Sequence, residues 1–292
     1  KQVNDWVKSH LIGGIARVDL RIRDLDRGLA FYRDILGLEV AERDGSRATL
    51  RSPGSDGFLR LQSRGVSAPS DPTAIGLFHT AFRYPTRADL GDVLARLLAA
   101  DYEVGAGDHL VSEALYVDDP DGNGVELYWD RPVEEWPTST EDMPVPMATL
   151  AVDLQDLLAA GRSDAAVGAP SPRGTDIGHV HLQVSDIDAA VRFYLTELGL
   201  DLTARLGRSA AFFSSYGYHH NIGANTWRSR GSKLPGREHA GLERVVFNVP
   251  DGKELNRLRE RLRTKVGNES AAEREPVVVA DPDGIELQFI TS

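Results

Sequence analysis

The sequence repeats itself at a constant interval, and this repeat constrains the fold more than any other feature. The first copy carries Asp24-Leu-Asp26, Phe31-Tyr32, Leu36-Gly-Leu38 and Asp119-Pro-Asp-Gly122. The second copy carries Asp186-Ile-Asp188, Phe193-Tyr194, Leu198-Gly-Leu200 and Asp281-Pro-Asp-Gly284, each 162 residues further along the chain. A constant offset over about a hundred residues indicates a tandem duplication.

The duplication divides the 292 residues into two domains and a connector. We expect an N-terminal domain at 10–134 and a C-terminal domain at 174–292. The connector, 135–173, holds five prolines and one short helical stretch, Leu154–Ala160. We expect it to act as a tether between the domains.

Each copy subdivides again into two modules with the same order of elements. A strand of alternating polar and apolar residues opens each module, and a helix and further strand-like runs follow it. The predicted opening strands are Arg17–Ile22, Phe78–Tyr84, His179–Val184 and Val245–Val249. We therefore predict an α+β fold that is built from four βαβββ-like modules.

Composition excludes several classes of protein. The chain has no cysteine, which excludes disulfides, thiolate metal sites, iron–sulfur clusters and a cysteine nucleophile. The net charge is −11 and no basic patch is present, so we expect no nucleic-acid partner. No apolar run approaches the roughly 18 residues of a membrane span, and no signal peptide is visible. We expect no membrane partner and a cytoplasmic location, and the oligomeric state, including a homo-oligomer, stays open.

The strands that open modules two and three carry histidine on a polar face. Alternation puts His179 and His181 on one side of their strand and His79 on the polar side of the other. The strand that closes module two presents Glu126. Two histidines and one carboxylate match the facial triad of non-haem Fe(II) oxygenases. His181 is the alternative to His179, which we prefer because it shares its position within the module with His79.

Modules one and four carry other residues at the equivalent positions. Arg17 and Arg244 stand where the two histidines do, and Glu286 is matched to Glu126. Arginine stays charged and cannot ligate a cation, so two arginines and a carboxylate predict a salt-bridged plug. We therefore expect one metal site, between modules two and three.

The segment that ends at Glu126 carries the most specific pattern in the chain. It contains His109, an apolar residue followed by Tyr116, the acidic turn Asp119-Pro-Asp-Gly122 and then the glutamate. This segment resembles the signature of type I extradiol ring-cleavage dioxygenases. Over its full length, including Asp130-Arg-Pro132, the chain resembles the catechol 2,3-dioxygenase-like branch of the vicinal-oxygen-chelate superfamily. The resemblance implies two tandem domains, each a cupped mixed β-sheet barrel with outer helices.

The resemblance also implies a metal and an acid/base residue. Fe(II) would be held by His79, His179 and Glu126, and Mn(II) fits the same ligand set. The common large extradiol enzymes place this site in their last two modules, whereas here it would lie in modules two and three. The string around His219 and His220 resembles the paired-histidine segment of these enzymes, which implies His220 as the acid/base residue and His219 as the alternative.

Further residues receive roles from the same resemblance. Tyr116 would donate a hydrogen bond near the reacting oxygens, and His109 would bond the substrate oxygen or Tyr116. We expect His219 to contact the substrate as well. Several aromatic residues are candidates for the pocket wall and equally for ordinary core: Tyr128, Phe212, Phe213 and Trp227.

The implied reaction is meta cleavage of a catechol-type ring with O2, which gives a 2-hydroxymuconic-semialdehyde-type product from a small aromatic diol. Three alternatives stay open. The first is an enzyme with the same iron that acts on hydroquinones. The second is a metal-dependent isomerase of the glyoxalase type, whose sites tend to contain two glutamates. The third is a non-catalytic small-molecule-binding protein of the same fold.

Overall fold

The computed structural model describes residues 5–140, 142–162, 166–266 and 275–291. The first repeat contains β1 (Gly14–Arg21), α1 (Leu25–Leu29), β2 (Glu39–Asp44), β3 (Arg47–Arg51), β4 (Leu59–Gln62), β5 (Gly76–Arg83), α2 (Arg87–Ala99), β6 (Gly105–Asp108), β7 (Ser112–Asp118) and β8 (Gly124–Asp130). The connector contains a short 3-10 turn (Val133–Glu135) and α3 (Leu154–Ala160). The second repeat contains β9 (Asp176–Gln183), α4 (Ile187–Val191), β10 (Asp201–Leu206), β11 (Ala210–Ser214), β12 (Ile222–Asn225), β13 (Gly241–Val249), α5 (Gly252–Arg261), α6 (Arg263–Val266), β14 (Val277–Ala280) and β15 (Glu286–Thr291).

The repeated sequence motifs mark the two ends of equivalent helices. Asp24 and Asp186 cap α1 and α4, because each carboxylate accepts a hydrogen bond from a backbone N–H of the first turn. Both helices continue as a π-helical turn, Ala30–Ile35 and Arg192–Glu197. The glycine of each Leu-Gly-Leu follows with a positive φ of about 80°, a conformation that ends a helix and favours glycine.

The strands form two mixed sheets that do not coincide with the two repeats. The first sheet has the order β14-β15-β13-β1-β4-β3-β2, and the second has the order β10-β11-β12-β9-β5-β8-β7-β6. Antiparallel pairing of β1 with β13 joins modules one and four, and antiparallel pairing of β5 with β9 joins modules two and three. Each sheet therefore takes one module from each repeat. The domain boundaries at 134 and 174 stay predictions.

Two buried hydrogen bonds tie the sheets to each other. The Tyr32 hydroxyl of module one donates to Asp119 in the turn before β8, at 3.0 Å. The Tyr194 hydroxyl of module three donates to Asp281 in the turn before β15, also at 3.0 Å. Burial raises the pKa of both tyrosines well above the ordinary value, so both hydroxyls stay protonated as donors. In each repeat, the tyrosine of the Phe-Tyr motif and the first aspartate of the Asp-Pro-Asp-Gly motif therefore link the two modules of that repeat.

The core is continuous across both sheets. Apolar side chains from all four modules form one buried cluster, to which Phe31, Phe82, Phe193 and Phe247 contribute rings. Among the described residues, no helix combines the length and the apolar character that crossing a membrane would require.

The connector packs against the second sheet, and the prediction of a tether was wrong. Helix α3 lies on α2 and buries Leu157 completely, and Arg162 forms ion pairs with two aspartates of α2. Leu150 pairs with Asp108 of β6 as a short strand would. The prolines of the connector did not prevent this docking, because the residues between them form hydrogen bonds and ion pairs with the rest of the protein. Residues 141 and 163–165 of the connector lie outside the described residues.

We predict that Tyr32→Phe and Tyr194→Phe each lower the free energy of unfolding by about 1–3 kcal/mol, because each leaves a buried carboxylate short of one donor. Urea denaturation measures the change. Tyr216→Phe is the matched control, because its side chain is half exposed and we expect a change within about 0.5 kcal/mol. Losses below that control value in both variants would show that the sheets do not depend on these bonds.

Candidate metal centre

Three adjacent strands of the second sheet carry the three predicted ligands. Ala81 of β5 pairs with His179 of β9 on one side and with Glu126 of β8 on the other. His79 lies two residues before Ala81 and therefore on the same face of β5. The small side chain of Ala81 leaves room above the sheet, where the three larger side chains meet.

The donor atoms of these three side chains converge. The Nε2 atoms of His79 and His179 lie 2.8 and 3.2 Å from Oε2 of Glu126, and the possible ligand atoms of the three residues lie within 4.8 Å of one another. All three side chains are buried. Nε2 of His79 has no correctly directed hydrogen-bond partner in the described part of the chain. The donor atoms therefore surround a common point, and the hydrogen bonds among them do not satisfy all of them.

The electrostatics of this group favour a cation. Burial raises the pKa of Glu126, but its contacts with His179 and His79 outweigh burial and hold that pKa well below the ordinary value. Burial lowers the pKa of His179 to about 4, so its imidazole is neutral at neutral pH. An ionised carboxylate that is buried beside the neutral imidazole of His179 carries a desolvation cost of several kcal/mol unless a positive charge accompanies it. The residues present therefore fit a divalent metal ion.

His181 lies opposite His79 on the paired strands but is not in the converging group. Its ring contacts an aromatic cluster, with ring centroids 5.2 Å from Phe78, 5.6 Å from Phe212 and 5.5 Å from Trp227. Burial lowers the pKa of His181 well below the ordinary value. Phe213, in contrast, packs on Tyr194 in the apolar core.

The paired histidines lie in the loop between β11 and β12. The His220 ring stands 4.1 Å from the His179 ring, between centroids, and burial lowers the pKa of His220 well below the ordinary value. The two Nδ1 atoms of His219 and His220 lie 2.8 Å apart, and Nε2 of His219 lies 2.8 Å from Asp130. His219 is fully buried and uses both ring nitrogens, so it lies behind His220.

His109 and Tyr116 form a second hydrogen-bonded pair beside the group. Nε2 of His109 lies 2.6 Å from the Tyr116 hydroxyl, and Nδ1 lies 2.8 Å from the carbonyl oxygen of Ala148. Because a carbonyl only accepts, a His109 ring with one proton carries it on Nδ1 and accepts from the tyrosine at Nε2. Burial and the charge of Glu126 raise the pKa of Tyr116 well above the ordinary value, which keeps the hydroxyl protonated.

Residues with a strained backbone lie near the His109–Tyr116 pair and near the His219–His220 pair. Leu110 and Tyr216 have positive φ angles of 69° and 56°, in a region that large side chains rarely adopt. Leu110 follows His109 directly, and Tyr216 stands three residues before His219. Strain of this kind persists only where the surrounding structure fixes it, which is typical of functional sites.

Tyr128 is completely buried beneath this group. Its hydroxyl lies 2.6 Å from that of Tyr218, which in turn donates to Asp130 at 2.8 Å. Gly178 makes the space for it, because a Cβ there would stand 1.8 Å from the Tyr128 oxygen. Tyr218 and Asp130 were not among the predicted site residues, although the alternation of β8 places Asp130 on the same face as Glu126 and Tyr128.

The first sheet has the same register and different side chains. Val246 pairs with Arg17 and with Gln288, as Ala81 pairs with His179 and Glu126. The match of Glu286 to Glu126 was wrong. Counted from the shared Asp-Pro-Asp-Gly turn, Glu286 stands two positions earlier, and Gln288 holds the equivalent place. Arg244 fills the space between them with an ion pair to Glu286 at 2.6 Å and a hydrogen bond to Gln288 at 3.1 Å.

A cavity of about 880 Å³ leads to the metal group. Its lining includes Phe78, His79 and Tyr116 of the second sheet, and Arg21 and Glu286 of the first sheet. The side chain of Trp227 is half exposed and contacts Phe78, which is one of the residues that line this cavity.

Comparison with known proteins gives the same outline. The family model described as "Glyoxalase/Bleomycin resistance protein/Dioxygenase superfamily" matches residues 14–127 and again 176–289. The chain is 38% identical over 252 residues to a catechol-2,3-dioxygenase of Bacillus subtilis (strain 168), with 85% of this chain and 87% of that protein covered. It is 32% identical over 120 residues to biphenyl-2,3-diol 1,2-dioxygenase 3 of Rhodococcus globerulus, with 40% of this chain and 63% of that protein covered.

The fold is also similar to that of glyoxalase I from Zea mays. The two structures have a TM-score of 0.54 at 15% sequence identity, over 95% of this chain and 92% of that one.

We predict that His79→Ala, Glu126→Ala and His179→Ala each abolish stoichiometric binding of a divalent metal, because each removes one of three donors. The measurement is metal content per chain after anaerobic Fe(II) loading and desalting. Full retention in any one variant would remove that residue from the ligand set.

Two controls accompany this series. Glu286→Gln removes the charge of a carboxylate in the first sheet, and His181→Ala removes the neighbouring histidine. We expect both to keep the metal. Loss of metal in Glu286→Gln would contradict the assignment of the site to the second sheet.

Proposed function

We propose that this chain, which belongs to the Glyoxalase/Bleomycin resistance protein/Dioxygenase superfamily, is an extradiol dioxygenase that opens the ring of a catechol-type diol with O2. The observation that carries this proposal is the surroundings of the metal group. His220 stands on one side of His79, Glu126 and His179, and Tyr116 with its partner His109 stands on the other.

We assign Fe(II) as the metal, and Mn(II) fits the same donors. When bound, such a metal supplies open coordination positions that bring a diol and O2 together and ease deprotonation of the diol. The charges agree with that substrate. Two neutral imidazoles and a carboxylate leave a divalent ion with a charge of +1, which a singly deprotonated diol neutralises.

The chain's own residues would supply the proton transfers. His220 lies beside His179, where its neutral ring has a nitrogen lone pair that would take a proton from a substrate hydroxyl and return it later. Tyr116, oriented by His109, would contact the oxygens of the bound diol. His219 lies too deep for a substrate contact, so we assign it to the support of His220.

The wall around these groups fits an aromatic ring. Phe78 stacks edge-on against Trp227 at 5.1 Å between centroids, and Phe212 stands 5.1 Å from His220. Aromatic side chains bury flat apolar rings well and prefer such edge-to-face contacts. We therefore infer a substrate that is an aromatic diol. Its ring would pack on these aromatic side chains, and its hydroxyls would face the metal that His79, Glu126 and His179 would hold.

The donor set also bears on the glyoxalase-type alternative. Among the described residues, the converging group holds one carboxylate, Glu126, with two histidines. An isomerase site with two glutamates does not correspond to this set. The paired histidines and the Tyr116–His109 pair would have no task in a protein that only binds its ligand.

The test is O2 uptake on addition of catechol to the anaerobically Fe(II)-loaded protein, followed by the yellow ring-opened product. Stoichiometric uptake with yellow colour is the expected result. Uptake without the colour would point to cleavage at another ring position, as with a hydroquinone. No uptake by iron-containing protein across several catechols would contradict the proposal.

We predict that His220→Ala keeps its iron and loses about 100-fold to 10,000-fold in kcat, because a positioned acid/base group contributes that much. Steady-state O2 consumption and metal content are measured on the same samples. His239→Ala is the control, since the ring of that partly exposed histidine bonds the carbonyl of Pro69, outside the metal group. A His220→Ala enzyme that turns over at the rate of this control would exclude His220 as the acid/base residue.

A further inference from the structure

A buried chain of hydrogen bonds runs from β8 to the acid/base histidine. Asp130 contacts Nε2 of His219, and Nδ1 of His219 contacts Nδ1 of His220, each at 2.8 Å. The other carboxylate oxygen of Asp130 accepts from the Tyr218 hydroxyl at 2.8 Å. The backbone of this loop is held as well, because the Thr203 hydroxyl donates to the carbonyl of His219 at 2.7 Å.

The chemistry of the groups gives this chain a direction. Burial raises the pKa of Asp130, but His219, Tyr218 and Arg83 outweigh it and leave the pKa below its ordinary value, so the carboxylate is ionised and only accepts. Nε2 of a neutral His219 must therefore carry the proton that Asp130 accepts. Its Nδ1 then has a lone pair, and the partner atom, Nδ1 of His220, must be the donor.

We propose that Asp130 is a positioning residue that acts through His219 and fixes the proton of His220 on Nδ1. Nε2 of His220 is then left with its lone pair, the form that accepts a proton from a diol hydroxyl. The inference rests on the proposed function, in which His220 is the acid/base residue. Neither Asp130 nor His219 touches the substrate in this arrangement.

The surroundings of Asp130 make an amide a sharp test. Its Oδ2 faces two donors, the Tyr218 hydroxyl at 2.8 Å and the Arg83 guanidinium at 3.6 Å. In Asp130→Asn the carbonyl oxygen would keep that side, and the amide NH2 would face His219. The chain would then reverse, so that His219 accepts at Nε2, donates from Nδ1, and leaves the His220 proton on Nε2.

The first measurement is steady-state kinetics of Fe(II)-loaded Asp130→Asn with catechol. We expect kcat to fall by about 100-fold or more, the effect of removing a general base. We expect KM to change by less than about threefold, because the substrate contacts stay in place. Metal content should equal that of the wild type.

Asp176→Asn is the matched control. Asp176 pairs with the same Arg83 at 2.7 Å but is partly exposed and does not contact His219. It makes the same carboxylate-to-amide change on the same guanidinium, and we expect wild-type kcat. An equal loss of kcat in both variants would mean that Asp130 acts only through Arg83, and the proposal would be wrong.

The second measurement reads the tautomers directly. Long-range 1H–15N correlation spectra of the full chain loaded with diamagnetic Zn(II) assign which ring nitrogen of each histidine is protonated. We expect the His220 proton on Nδ1 in the wild type and on Nε2 in Asp130→Asn. A wild-type proton on Nε2, or an unchanged tautomer in a slow variant, would overturn the inference.

These spectra also separate the inference from the proposed function. If the wild-type protein turned over no diol, the proposed function would fail, and the tautomer of His220 would still decide the role of Asp130. If Asp130→Asn did not fold, the wild-type spectrum alone would decide it.

Discussion

The antiparallel pairing of β5 with β9 is the contact on which the rest of the structure depends. It joins a strand of the first repeat to a strand of the second, in a register that sets Ala81 beside His179. The parallel pairing of β5 with β8 then adds Glu126 on the other side of the same alanine. A slip of one residue in either pair would turn its ligand to the opposite face of the sheet. The metal group is therefore a property of strand register between the repeats.

The duplication produced two equivalent surfaces and gave them different chemistry. Arg17, Arg244 and Gln288 occupy in the first sheet the places of two histidines and a glutamate in the second. In the first surface the guanidinium of Arg244 neutralises Glu286 and also donates a hydrogen bond to Gln288. The second surface keeps a buried carboxylate that no arginine or lysine neutralises in the described part of the chain. The carboxylate of the first surface is thus neutralised by a side chain of the protein, whereas the carboxylate of the second surface still needs a cation.

Periodicity was sufficient to predict the elements that bury one face. Helix α3 has the predicted bounds, and α2 follows the opening strand of module two as expected. The converging ligands were also expected, because their positions within the modules match. Contacts that depend on the path of the chain were not accessible in this way. Three such contacts join residues whose spacing in the sequence follows no regular period. They are the docking of the connector, the contact of the Ala148 carbonyl with His109 and the contact of the Tyr218 hydroxyl with Asp130. The error at Glu286 has a different cause. Glu286 was matched to Glu126 because both are glutamates, whereas the number of residues from the Asp-Pro-Asp-Gly turn identifies Gln288 as the equivalent residue.

The two histidine chains around the metal group have the same polarity. On one side a carbonyl accepts from His109, which therefore accepts from Tyr116 and leaves the lone pairs of that oxygen available. On the other side a carboxylate orders His219 and, as we infer, leaves a lone pair on His220. With the ligand nitrogens and the carboxylate of Glu126, the groups of the site are acceptors. A group of acceptors of this kind favours an occupant that brings both a cation and a proton. A divalent metal with an aromatic diol, which gives up one hydroxyl proton at the site, satisfies that condition.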